Sequence, residues 1–203
     1  MDATGSMGHL LDQVKNTICV MFERATDVLE EYSLPADSFE IQLVVYRDYD
    51  SLESVLQVSG WEIKPLNLRN FMNTVTARGG GDYEEAIEVG LWHVNQEQSK
   101  LKDPNFLNSL KTEFLKTELE TIKANSIPVH TFYVMKGAEE CFAEIAFLTG
   151  GQTGFLDVNS SNGADRLIDL ITPLILNDVG TINGGMGSRL VEEYKKKYPK
   201  SYA

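Results

Sequence analysis

Strand-like and helix-like runs alternate along this chain, and that alternation limits the folds open to it more than any other feature. "FEIQLVVYRDYD" places Phe39, Ile41, Leu43 and Val45 at every second position, with Val44 apolar on the other face. "SIPVHTFYVM" is rich in β-branched and aromatic residues, "QTGFLDV" is a shorter run, and "SVLQVSGWEIKP" reads as a weaker strand or hairpin arm. Between them lie helical patterns. Leu10, Val14, Ile18, Met21, Ala25, Val28 and Leu29 recur at three- and four-residue steps, which predicts a helix over 9–32 stopped by "SLPADS". "NLRNFMNTV" predicts a short helix. Ala86, Ile87, Leu91 and Val94 give a helix over 83–94 one apolar face, and Phe106, Leu107, Leu110, Phe114, Leu119 and Ile122 do so over 106–125. "AEECFAEIAFLTGG" predicts a helix closed by glycines, and "GADRLIDLITPLIL" a last packed helix, kinked or stopped at Pro173. The expected fold is α/β, a doubly wound, mainly parallel sheet flanked by helices. After Asn177, "NDVGTINGGMGS" reads as a glycine-rich linker and "RLVEEYKKKYPKSYA" as a solvated amphipathic tail. The chain thus divides into a domain over 1–178 and a linker and tail over 179–203.

Charge narrows the partners. Thirty acidic residues face 18 basic ones, a net charge of -12, which argues against nucleic acid and anionic membrane surfaces and is compatible with cation binding. No run of about 18 apolar residues suggests a membrane span. With no leader-like opening, a cytoplasmic location is the expectation. Cys19 and Cys141 sit in apolar helical contexts that suit buried packing, as do Tyr49, Trp61 and Trp92. His9, His93 and His130 show no metal-ligand spacing.

The opening "MDATGSM" concentrates hard oxygen donors: the Asp2 carboxylate and the Thr4 and Ser6 hydroxyls at alternate positions, with Gly5 allowing a sharp turn. Such donors suit Mg²⁺, Mn²⁺ or Ca²⁺ rather than softer metals. The same hydroxyls are also good caps for the helix that follows. Ligands of open α/β sheets bind at the carboxyl ends of strands. Residues 2–6, 47–50 and 79–82 all fall at such loops, so three separated segments are expected to converge on one crevice.

Together these segments resemble a von Willebrand factor A-type (vWA) domain, whose metal ion-dependent adhesion site (MIDAS) uses a D-x-S/T-x-S loop. "DATGS" matches that loop at Asp2, Thr4 and Ser6, and "GGGDYEEA" resembles the second metal loop, with Asp82 where threonine is usual. "IPVHTFYV" and "FAEIAFLTGGQTGFLDV" resemble the late strand, helix and strand of that Rossmann-like fold. The resemblance implies that Thr4 and Ser6 bind the ion directly, Asp2 directly or through water, and Asp82 from the second loop. One coordination position is left for a carboxylate from a protein partner. An aspartate at 82 adds negative charge, so tighter cation retention and a less electrophilic metal are expected. The chain departs from the pattern twice: only Met1 precedes Asp2, and the interval between 95 and 126 is polar and helical where a central strand with an acidic loop is expected. A sheet depleted of central strands follows, through truncation of a longer protein or a strand supplied by a partner. Asp48 is the best substitute carboxylate; a solvated strand end or a pair with Arg47 is its alternative role.

The expected function is a non-enzymatic, divalent-cation-dependent protein-binding module. A metal-free scaffold of the same fold is one alternative. A Mg²⁺-dependent phosphohydrolase with Asp2 as nucleophile is another, although Thr4 stands where its acid/base carboxylate belongs.

Overall fold

The computed structural model describes residues 1–35, 37–80, 86–102, 115–157 and 163–199. The elements are α1 (Gly8–Glu31), β1 (Val44–Tyr46), β2 (Leu56–Val58), α2 (Pro65–Met72), α3 (Ile87–Lys102), α4 (Leu115–Ala124), β3 (Thr131–Tyr133), α5 (Glu139–Thr149), β4 (Thr153–Phe155), α6 (Gly163–Ile182) and α7 (Gly187–Lys197). The chain is mixed α/β and divides into two compact units. One comprises Met1–Gly5, Val44–Gln57 and Arg78–Asp157; the other comprises Ser6–Leu43, Val58–Ala77 and Val158–Ala203.

In the first unit α3 packs on β1 and on α4, and α4 packs on α5. Gly90 of α3 lets the Tyr46 ring lie close, since a Cβ there would stand 3.3 Å from its Cδ1. β3 and β4 pair in parallel, Thr131 opposite Thr153 and Tyr133 opposite Phe155, with α5 as the crossover that parallel neighbours require. Thr131 and Tyr133 point inward, and the Tyr133 ring meets Phe142 of α5 and Phe155 of β4 at centroid distances of 6.3 and 5.7 Å. Helix α5 ends at Gly150, whose φ of 75° is left-handed, and Gly151 N–H returns to the Ala146 carbonyl at 2.8 Å.

The second unit is helical. Ala25, Val28 and Leu29 of α1, Leu176 and Val179 of α6, and Leu190 and Tyr194 of α7 form one buried cluster. Each fully buried leucine or valine contributes about 1.5–3 kcal/mol. Helix α2 packs on α1, where the Cys19 thiol, midway along α1, points at the Pro65 carbonyl.

Several sequence expectations are corrected here. The described residues form two separate two-stranded sheets rather than one continuous doubly wound sheet. The strand expected from Phe39 is only Val44–Tyr46, because Leu43 N–H is taken by the Ser59 hydroxyl at 2.9 Å and the ladder is interrupted there. Helix α6 is not stopped at Pro173: burial of Ile168 before it and Leu176 and Val179 after it offsets the roughly 3 kcal/mol that an internal proline costs. The stretch read as linker and solvated tail continues α6 to Ile182 and then forms α7, whose Leu190 and Tyr194 are fully buried. Cys141, Tyr49 and Trp61 are exposed rather than packed, and both cysteines are free thiols. No helix among the described residues is long and apolar enough to cross a membrane.

Candidate functional site

Residues 1–3 lie against β1 in the first unit. The Met1 nitrogen donates to the Val44 carbonyl at 2.6 Å, Tyr46 N–H to the Met1 carbonyl at 2.9 Å, and Ala3 N–H to the Tyr46 carbonyl at 3.0 Å. These bonds make Asp2 a parallel bridge partner of Tyr46. Residues 1–3 thus meet β1 through an isolated bridge rather than as a named strand. Burial lowers the Met1 ammonium to about 6, against the pull of Asp2.

Asp2 then folds onto its own loop. Its Oδ1 accepts Thr4 N–H at 2.8 Å, and its Oδ2 accepts the Thr4 hydroxyl at 3.3 Å. This is an Asx turn, which short aspartate side chains form readily. Thr4 is fully buried. Its hydroxyl hydrogen goes to Asp2, so the oxygen keeps its acceptor character for a hard cation.

The glycine loop runs beside this turn. Arg78 N–H donates to the Ala3 carbonyl at 3.1 Å, and Gly5 N–H donates to the Gly79 carbonyl at 3.0 Å. Gly79 has φ 70°, and any Cβ there would run into Asp50 Oδ1 and Ser51 Oγ. Only glycine meets both demands. The segments around Asp2, Asp50 and Gly79 thus meet, although among the described residues only the Asp50 segment follows a strand, and Gly79 follows helix α2.

Their membership differs from the sequence expectation. Asp48 is buried, not a solvated strand end, and its Oδ1 accepts Tyr49 N–H within the same turn. Asp50 and Ser51, two and three residues further along the 3-10 turn Tyr49–Ser54, are the side chains that face the glycine loop. Ser6 is exposed, in the 3-10 turn Gly5–Met7, and belongs to the second unit. Asp82 lies outside the described residues. His130 Nδ1 accepts Gln152 N–H at 3.1 Å, a structural role beside β4.

Arg47 was read from sequence only as a partner for Asp48. Its guanidinium is almost wholly buried, donating to the Ser54 carbonyl at 2.8 Å and to Gln57 Oε1 at 3.2 Å. Burial first, and Arg78 second, lower its pKa, while the charge of Asp2 raises it. A permanent cation therefore stands within electrostatic reach of the carboxylate proposed to hold a metal. Nothing in the spacing of "VVYRDYD" signals this, because an arginine at a strand end usually reaches water.

In kind, the Asp2 and Thr4 oxygens fit a hard divalent cation. In number they are two residues, and among the described residues no three His, Cys, Asp or Glu side chains gather as a metal-binding group. No protein-family model, curated protein or solved structure matches the chain.

Proposed function

We propose that the chain is a non-enzymatic protein-binding module with a vWA-like, Rossmann-type arrangement of its α/β elements. In this reading Asp2, Thr4 and Ser6, with Asp82 and Asp48, hold Mg²⁺, Mn²⁺ or Ca²⁺, and the ion supplies a Lewis-acidic position for a carboxylate of a protein partner. The observation carrying it is the backbone pairing of the "DATGS" loop with Arg78 and Gly79. That pairing brings together two loops whose sequences suggest metal ligation, and a Gly79 hemmed in by Asp50 and Ser51 holds the second loop in place. Asp2 engaged by Thr4 argues against a free nucleophile, which disfavours the phosphohydrolase.

The test is a titration of the full chain with MnCl₂, followed by paramagnetic broadening of backbone amides. Selective broadening of residues 2–6, lost in Thr4→Val with the fold intact, is expected. Uniform broadening, or none at millimolar Mn²⁺, overturns the reading. The metal-free scaffold is the second reading, and the buried charge of Arg47 favours it.

A further inference from the structure

We propose that residues 61–69 of the second unit form a docking strip for an acidic segment of a partner protein, one that interleaves aspartate or glutamate with large apolar residues. The strip needs no metal ion, so it stands apart from the metal reading above.

Three observations carry it. The first is exposure. Among the described residues seven large hydrophobic side chains are exposed, and three of them, Trp61, Ile63 and Leu66, fall within six positions. A single exposed apolar residue is ordinary, whereas several together mark an interaction surface. Helix α2 buries Leu68 and Met72, and Leu66, about 200° round the helix from Leu68, is left in solvent. The second is order. Ile41 and Glu62 each donate a backbone N–H to the other's carbonyl at 3.0 Å, and Asn67 Nδ2 donates to Glu62 Oε2 at 2.6 Å, which ties the first turn of α2 to the strip. A ligand therefore meets a preformed surface and need not order it.

The third is charge. Lys64 and Arg69 are the only charged residues between Glu62 and Arg78, in a chain with 30 acidic and 18 basic residues. Both are exposed, and neither is paired with an acid among the described residues. Arg69 lies one turn from Leu66, so apolar and cationic groups are neighbours on α2. Glu62, the nearest acid in sequence, is engaged by Asn67. This pattern chooses the occupant. A two-fold contact with a second copy would set Lys64 and Arg69 against their own equivalents and bring together two chains of net charge -12. Nucleic acid is repelled by the same net charge, and Ile63 and Leu66 offer it no polar contact. An acidic, apolar segment meets both features: its side chains cover Trp61, Ile63 and Leu66 while its carboxylates pair with Lys64 and Arg69.

The test uses the full chain in EDTA and a fluorescein-labelled peptide of alternating aspartate and leucine, read by anisotropy. Saturable binding that weakens as NaCl rises is expected. The same peptide with lysine in place of aspartate should bind at least tenfold more weakly. Trp61→Ser should also weaken binding at least tenfold, as should the double variant Lys64→Glu, Arg69→Glu. All three side chains are exposed, so both variants should melt close to the unaltered chain.

No binding, equal binding of the two peptides, or an affinity that neither variant changes overturns the inference. Tighter binding of labelled oligothymidylate overturns it too, as does a dimer in sedimentation that Trp61→Ser dissolves, because each puts a different occupant on the strip. Since EDTA removes divalent ions throughout, none of these results bears on the metal reading.

Discussion

The Tyr194 hydroxyl donates to Asp169 Oδ1 at 2.7 Å, joining α7 to α6 through two buried polar side chains. Arg24 of α1 reaches the same carboxylate oxygen at 3.5 Å and stacks over the Tyr198 ring at 4.7 Å. Burial first, and the bond to Asp169 second, push the Tyr194 hydroxyl far above the ordinary tyrosine range. Tyr194→Phe keeps the ring and removes the donor to Asp169, together with the oxygen that accepts from Arg24 Nη1 at 3.4 Å. A hydrogen bond to a charged group contributes about 1.5–3 kcal/mol, so urea unfolding should show a loss of that order. A loss below about 0.5 kcal/mol would mean that ring packing alone seats the helix.

Beside the candidate site, Tyr49 donates to Glu88 Oε1 at 2.5 Å, and its hydroxyl is pushed up to about 12, by that bond first and by burial second. The sign follows from linkage. A phenol whose folded value lies above its unfolded value of about 10 adds stability that is complete below that pH and is lost as pH rises through the folded value. Glu88→Gln should return Tyr49 toward the ordinary range. A difference titration of phenolate absorbance between the two proteins isolates this one tyrosine, and coincident curves would show that the bond does not hold in solution.

His93 works in the opposite direction. Burial lowers its pKa, against the pull of Glu97, whose Oε1 is 3.8 Å from Nε2, and with the push of Lys100. A depressed folded value means that the contribution of His93 is present above about pH 6.5 and is lost as pH falls through the folded value. Melting temperature should therefore decline on acidification below that pH. His93→Gln should flatten part of the decline, and identical slopes would assign the acid sensitivity to other groups.

Much of the architecture was legible because burial follows spacing. Ala25, Val28 and Leu29 announce α1, and glycine closes α5 where the pattern predicts. The meeting of the three segments was expected from strand ends, yet among the described residues only β1 leads into its segment, and the Gly79 loop follows helix α2. The rest was hidden for specific reasons. Helix α7 is mostly charged, so Leu190 and Tyr194 give only a thin apolar stripe, and the adjoining glycines suggest flexibility. The turn after β1 is 3-10, which sends Asp50 rather than Asp48 toward Gly79, and no alternation rule anticipates that change of phase. Arg47 is buried by tertiary packing that local sequence cannot encode.

Those glycines supply the last prediction, because they permit contact rather than motion. A Cβ on Gly180 would lie 2.7 Å from Gly187 Cα and 2.8 Å from Leu190 Cδ1, and a Cβ on Gly187 would lie 2.5 Å from the Asn177 carbonyl oxygen. The nearest obstacle to each is backbone, so neither helix can yield without moving the other. Alanine is intrinsically better than glycine in a helix by about 1 kcal/mol, which on propensity alone would make Gly180→Ala stabilising. Overpacking costs about 1–3 kcal/mol or more, and here it decides the sign, because α7 must leave its seat to make room. Gly180→Ala should therefore destabilise the chain by at least 1 kcal/mol and speed proteolysis within Gly187–Lys197. Gly137→Ala is the control: nothing lies within 4 Å of its Cβ, and it should change stability by less than about 0.5 kcal/mol. Equal effects of the two substitutions would return the glycines near α7 to the role of a flexible linker.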